Sequence, residues 1–169
     1  MTSQVGFRPE DHWLLTGVPG EDLEPLLSIV QEQRFLPGEV LFREGDPATG
    51  LYLIMVGSVR VSATNETGET LLAVVHANDV LGEMAILDGR DRSGTATAVE
   101  ICVAHFLPTE PFLDLLERST KVCMRLLALL TTRLRRANGR LGELAATSAI
   151  IQEEMPQEGG TSGAWRAVT

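Results

Sequence analysis

Leu81-Gly82-Glu83-Met84-Ala85-Ile86-Leu87 runs directly into Asp88-Gly89-Arg90-Asp91-Arg92-Ser93-Gly94-Thr95, and these residue types at this spacing can bind a phosphorylated sugar. Gly82 lets a strand turn sharply into a short helix, whose first N–H groups, at Glu83, Met84 and Ala85, have no partner within the helix. Such a helix start attracts anions. Glu83 sits in the first turn, where its charge suits the dipole and its oxygens can accept hydrogen bonds from sugar hydroxyls. Arg92 offers a planar fork of donors to an anionic oxygen, Ser93 adds a hydroxyl, and Gly94 ends the segment without a side chain. One acid and one arginine suit a ligand with a ribose and one phosphate. The residues alone leave a second reading open: Arg92 as the partner of Glu83 or Asp91 in an internal salt bridge, and Glu83 as an ordinary helix-start carboxylate.

Short strands must position this segment. Runs of Val, Ile and other apolar residues at strand length, punctuated by Pro37-Gly38, Gly45-Asp46-Pro47, Gly50 and Gly57, predict strands over residues 31–36, 40–42, 50–55, 58–64, 70–76, 80–81, 95–100 and 101–107. Residues 65–69 read as a polar hairpin tip. Many short strands closed by glycine turns predict a mainly β fold with flanking helices, a β-roll or jelly roll followed by a long C-terminal helix. Residues 1–18 read as an irregular lead and 20–30 as a short helix with acids in its first turn. Thr109 can cap a helix that carries Pro111 in its first turn. The main domain spans 19–146, its long helix covers 119–146, and 147–169 has the composition of a flexible tail.

The segment 81–98 resembles the phosphate-binding cassette of the cyclic-nucleotide-binding domain family, and within that family the sensor domain of the catabolite activator (Crp/Fnr-like) proteins. A second block, Leu36-Pro37-Gly38-Glu39-Val40-Leu41-Phe42-Arg43-Glu44-Gly45-Asp46 with Gly50-Leu51-Tyr52-Leu53-Ile54, is similar to the family's first barrel strands. The resemblance covers about residues 21–142. It implies that Glu83 holds the ribose 2′-hydroxyl and that Arg92 and Ser93 hold the cyclic phosphate. The chain departs from the family pattern at Leu81 (usually Phe), Asp91 (usually Pro) and Gly94 (usually Ala). Asp91 is the notable change, since a carboxylate beside Arg92 competes with phosphate.

Composition bounds the rest. A chain of 169 residues can bury a real core, and no apolar run approaches the ~20 residues that span a bilayer. The N-terminus has no secretory pattern, and Cys102 and Cys123 form no CxxC, so a reducing cytoplasm is the expected address. The net charge of −9 argues against a surface that grips nucleic acid by itself. Arg118, Lys121, Arg125, Arg133, Arg135, Arg136 and Arg140 gather on one late segment, either as a solvated face or as the contact for an acidic partner or an anion. Enzyme chemistry is not expected: His12, His76 and His105 are far apart, nothing matches a metal, haem or iron–sulfur ligand set, and no cofactor is called for.

From Cys123 the apolar positions Leu127, Leu130, Leu134, Ala137, Leu141 and Leu144 alternate steps of four and three, a heptad seam. It can pack on the chain's own barrel or on a second copy; the resemblance implies a homodimer through this helix. The resemblance also puts Ala137 and Asn138 where the family's helix meets the purine, and only Asn138 keeps a group that can read an adenine edge. Asn138 as a plain surface residue is the alternative. The ligand expected is cyclic AMP, with cyclic GMP as the other choice. Too little chain follows Leu144 for a helix-turn-helix, so direct DNA binding is not expected, and Trp165 is either mobile or a stacking lid. The function expected is a stand-alone cyclic-nucleotide receptor acting on an unidentified effector protein. The alternative is an adaptor or dimerisation module that keeps the fold without the nucleotide.

Overall fold

The structure, a computed structural model, describes residues 6–154, with side chains described through residue 148. Eight strands form two antiparallel sheets. β1 (Gln31–Phe35), β8 (Cys102–Pro108), β3 (Gly50–Val56) and β6 (Asp79–Leu81) pair in that order in one; β2 (Val40–Phe42), β7 (Thr95–Ala98), β4 (Ser58–Asn65) and β5 (Gly68–His76) pair in the other. The expected β-roll is present, and strand bounds differ from the sequence reading by a residue or two. β-branched residues and glycine turns carry that agreement.

The core lies between the sheets. Tyr52, Ile54, Val59, Val75, Leu81, Ala96, Ala98, Cys102 and Ala104 form one buried cluster, with Phe35, Leu41, Phe42, Val61 and Phe106 packed against it. β3 is buried on both faces, because Leu51 and Leu53 alternate with Tyr52 and Ile54 and are themselves fully covered. α1 (Gly20–Leu27) and α3 (Thr109–Arg118) pack against each other, and α3 also meets β3 and β8.

Residues 6–18, the described part of the lead, are irregular as expected apart from a 3-10 turn at Pro9–Asp11, yet Leu14 and Leu15 are fully buried and His12 is 1% exposed. Trp13 Nε1 donates to the Asn78 carbonyl, and Arg125 donates to the carbonyls of Leu14 and Thr16. Thr109 does not cap α3; Pro108 holds the cap position, and the Thr109 hydroxyl donates instead to Ala48. α4 (Thr120–Glu154) continues beyond the end expected at 146, since no proline or glycine interrupts residues 143–154. Its start is capped by Ser119, whose Oγ accepts from Val122 N–H.

Residues up to Leu126, including the first turns of α4, form one compact unit. From Leu127 α4 forms a second, on which Leu127, Leu134, Leu141 and Leu144 are 56–65% exposed. Among the described residues no helix is long and apolar enough to cross a membrane.

Candidate functional site

α2 (Glu83–Asp88) begins where β6 ends, and Gly82 makes the corner at φ 87°. Only glycine adopts that backbone without strain, and space excludes a side chain as well: a Cβ there would lie 2.5 Å from Arg92 Nη1. The turn therefore exists in the form that admits the arginine. Gly94, at the far end of the segment, is buried, and a Cβ on it would lie 2.9 Å from the Ser62 carbonyl and 3.1 Å from Val61 Cγ1. Alanine, usual in the resembling family, has no room unless β4 moves.

Arg92 is the centre of the site. Its side chain is only 5% exposed. Nη1 donates to the Gly82 carbonyl at 2.8 Å and Nη2 to the Gly50 carbonyl at 2.5 Å, while the guanidinium carbon lies 4.2 Å from the centre of the Phe42 ring. Nε, also buried, meets no acceptor among the described residues. Backbone bonds hold the residue itself in place: Arg92 N–H donates to Asp46 and Gly45 N–H donates to Arg92, each at 2.9 Å. Burial pulls the guanidinium below its ordinary value, an effect opposed by Tyr52, Asp46 and Glu83. It remains a cation at any physiological pH, because its ordinary value is so high.

Glu83 is 1% exposed, and its charge acts on Arg92. A carboxylate and a guanidinium are thus both withdrawn from water at the mouth of one short helix. Ala85 is buried, whereas Met84 is 55% exposed and Ser93 is exposed. Asp91 and Arg90 are exposed as well. Asp91 is therefore poorly placed to take the buried guanidinium, which is occupied by carbonyl oxygens. Asn138 is exposed on α4, in the second unit.

Residue reading alone missed several contributors. Phe42 and Gly50 hold Arg92 from β2 and β3, and Val61 and Leu72 stand against Gly94 from β4 and β5. In the sequence these look like ordinary strand residues; only closure of the roll brings them to the arginine. His105 is likewise a core residue, its Nε2 bonded to the Phe7 carbonyl at 2.7 Å. Among the described residues no group of three or more His, Cys, Asp or Glu could hold a metal.

Comparisons with known proteins agree with this fold. The chain is similar to the cyclic AMP receptor protein of Thermus thermophilus, 36% identical over 137 residues that make up 80% of this chain and 63% of that protein. The crystal structure of the Thermus thermophilus catabolite activator protein superposes with a TM-score of 0.66 at 36% identity, over 78% of this chain and 62% of that one. The regulatory domain of Toxoplasma gondii PKA, crystallised with cAMP, matches at a TM-score of 0.57 and 27% identity, over 63% of this chain and 41% of that one. The chain thus spans less than two thirds of the length of each of these relatives. Residues 32–119, which hold β2 to β8, all of β1 but Gln31, and the whole segment around Arg92, match the model of the cyclic nucleotide-binding domain, and the chain belongs to that family.

Proposed function

We propose that the chain is a cyclic-mononucleotide receptor whose ligand is cyclic AMP, with cyclic GMP as its competitor. The observation that carries this reading is the arginine: a cation 5% exposed, with a buried Nε–H that meets no acceptor among the described residues. A donor left over on a buried cation calls for an anionic oxygen. In this reading Arg92 and Ser93 take the cyclic phosphate together with backbone N–H groups at Gly82, Glu83, Met84 and Ala85. Glu83 accepts from the ribose 2′-hydroxyl, the missing side chain of Gly94 leaves the base beside Val61 and Leu72, and Asn138 reads the base edge. The names of the Thermus relative and the Toxoplasma structure favour adenine.

Binding changes the disposition of α4 and, with it, a surface for an effector protein. That coupling requires the ligand to prefer one arrangement over another. The exposed leucines of α4 support a homodimer, since a stripe of that kind is buried by a second copy in coiled-coil fashion. Cys102 and Cys123 are free thiols, as suits a reducing cytoplasm. The reading assigns no catalytic residue, cofactor or metal.

One observation favours a second reading, an adaptor that keeps the fold without the nucleotide. Both terminal nitrogens of Arg92 are already engaged by carbonyl oxygens. Isothermal titration with cyclic AMP, cyclic GMP and the ring-opened 5′-AMP separates the two. Binding of a cyclic nucleotide in the micromolar range, abolished by Arg92→Ala and largely kept by Arg90→Ala, is the expected result. Absence of heat with both cyclic nucleotides at millimolar concentration overturns the receptor reading and leaves the adaptor.

A further inference from the structure

We propose that Phe42 is the positioning residue of this site, its ring face fixing the plane in which the Arg92 guanidinium meets an anion. The inference rests on the reading of Arg92 as the phosphate ligand and adds to it a residue outside the cassette. Two carbonyl oxygens, of Gly82 and Gly50, hold the two terminal nitrogens of Arg92, and they leave the group free to tilt about the line that joins them. A flat ring 4.2 Å from the guanidinium carbon removes that freedom. With the plane fixed, the direction of the remaining Nε–H is fixed too.

The ring is itself well supported. Phe42 stacks on Tyr52 at 6.2 Å and an interplanar angle of 26°; Tyr52 in turn meets Phe106 at 5.1 Å and Phe35 edge-on at 6.2 Å. The Arg92 cation therefore lies on an aromatic column rooted in the core between the sheets. A β2 residue with a branched aliphatic side chain fills similar volume and offers no negative face. Gly82 completes the arrangement, because a Cβ there would come within 2.5 Å of Arg92 Nη1 and displace the guanidinium from the ring.

The test compares full-length wild type, Phe42→Leu and Phe42→Tyr in two measurements. The first is affinity for cyclic AMP by titration calorimetry. The second, made without ligand, is the Arg92 Nε–H resonance, which ring current displaces upfield when the stack is formed. Phe42→Leu is expected to bind about 5- to 30-fold more weakly and to lose the displacement, as the removal of a desolvated cation–π contact dictates. Phe42→Tyr keeps the face and is expected to restore both. Phe42→Leu within twofold of wild type, or Phe42→Tyr as weak as Phe42→Leu, overturns the assignment. If wild type binds no cyclic nucleotide, the receptor reading fails by itself, and the ligand-free resonance still decides the stack. If Phe42→Leu does not fold, a wild-type resonance without upfield displacement overturns it.

Discussion

Arg92 holds the fold through its carbonyl partners whether or not it also takes the proposed ligand, so Arg92→Ala has a cost that can be measured with no nucleotide present. Its two terminal nitrogens donate to Gly82 and Gly50 carbonyls at 2.8 and 2.5 Å, and a hydrogen bond to a charged group contributes about 1.5–3 kcal/mol. The Phe42 stack adds about 0.5–2 kcal/mol. Glu83, 1% exposed, would also lose the attraction of that cation. Against these stands the relief of desolvation: a buried guanidinium is itself unfavourable, and water entering the space it leaves can serve the carbonyls. The net loss expected is about 2–4 kcal/mol, read as a lower urea midpoint at unchanged slope. Arg90→Ala, an exposed site, should stay within about 0.5 kcal/mol of wild type. Ligand at one hundred times its dissociation constant should add about 2.7 kcal/mol to wild type and nothing to Arg92→Ala. Equal midpoints for the two alanine variants would refute the placement of the guanidinium on its carbonyls.

Gly94→Ala should lose about 1–3 kcal/mol in the same assay, because its Cβ must push the Ser62 carbonyl from 2.9 Å; an unchanged midpoint would mean that β4 yields freely. His12 is 1% exposed, and burial pushes its imidazole down to about 4 from 6.5, opposed by Asp79. The unfolded chain therefore takes up the proton first: stability is complete above pH 6.5 and falls by about 3 kcal/mol as pH drops towards 4, a slope that His12→Gln should lack when urea midpoints at pH 7 and 4.5 are compared. Leu127→Glu with Leu134→Glu places charge on two leucines that are 56% and 62% exposed; if wild type sediments as the proposed dimer, the double variant should sediment as monomer without loss of helical signal, whereas equal sedimentation of the two would refute an interface at these leucines.

The strands and the corner at Gly82 were legible because they depend on local chemistry: β-branched residues, glycine turns, and an acid and an arginine at short spacing. The lead was not. Leu14 and Leu15 carry no period, and their burial depends on carbonyls that Arg125, far along the chain, comes back to meet. The end of α4 was misjudged for a different reason. The heptad seam runs only to Leu144, but a seam reports what a helix packs against, while helix length is set by the absence of breakers. Arg92 divides along the same line. Its residue type pointed to an anion, yet its partners are backbone oxygens at Gly82 and Gly50, and a carbonyl leaves no trace in a sequence pattern.

The choice of glycine at those two positions links the fold to the proposed ligand. A Cβ on Gly50 would collide with the Phe106 ring and the Leu107 carbonyl, and one on Gly82 would collide with Arg92 itself. The carbonyls that hold the cation are thus presented by residues whose missing side chains let other groups come close. Such a site is rigid and expensive: it withdraws a guanidinium from water and leaves its Nε–H without an acceptor among the described residues. An anionic oxygen arriving there satisfies a donor already desolvated and oriented, so the ordering cost of recognition falls on folding and not on binding. The same logic makes ligand affinity and ligand-free stability answer to the same side chains, Arg92 and Phe42, and a variant that shifted one quantity while leaving the other fixed would separate them.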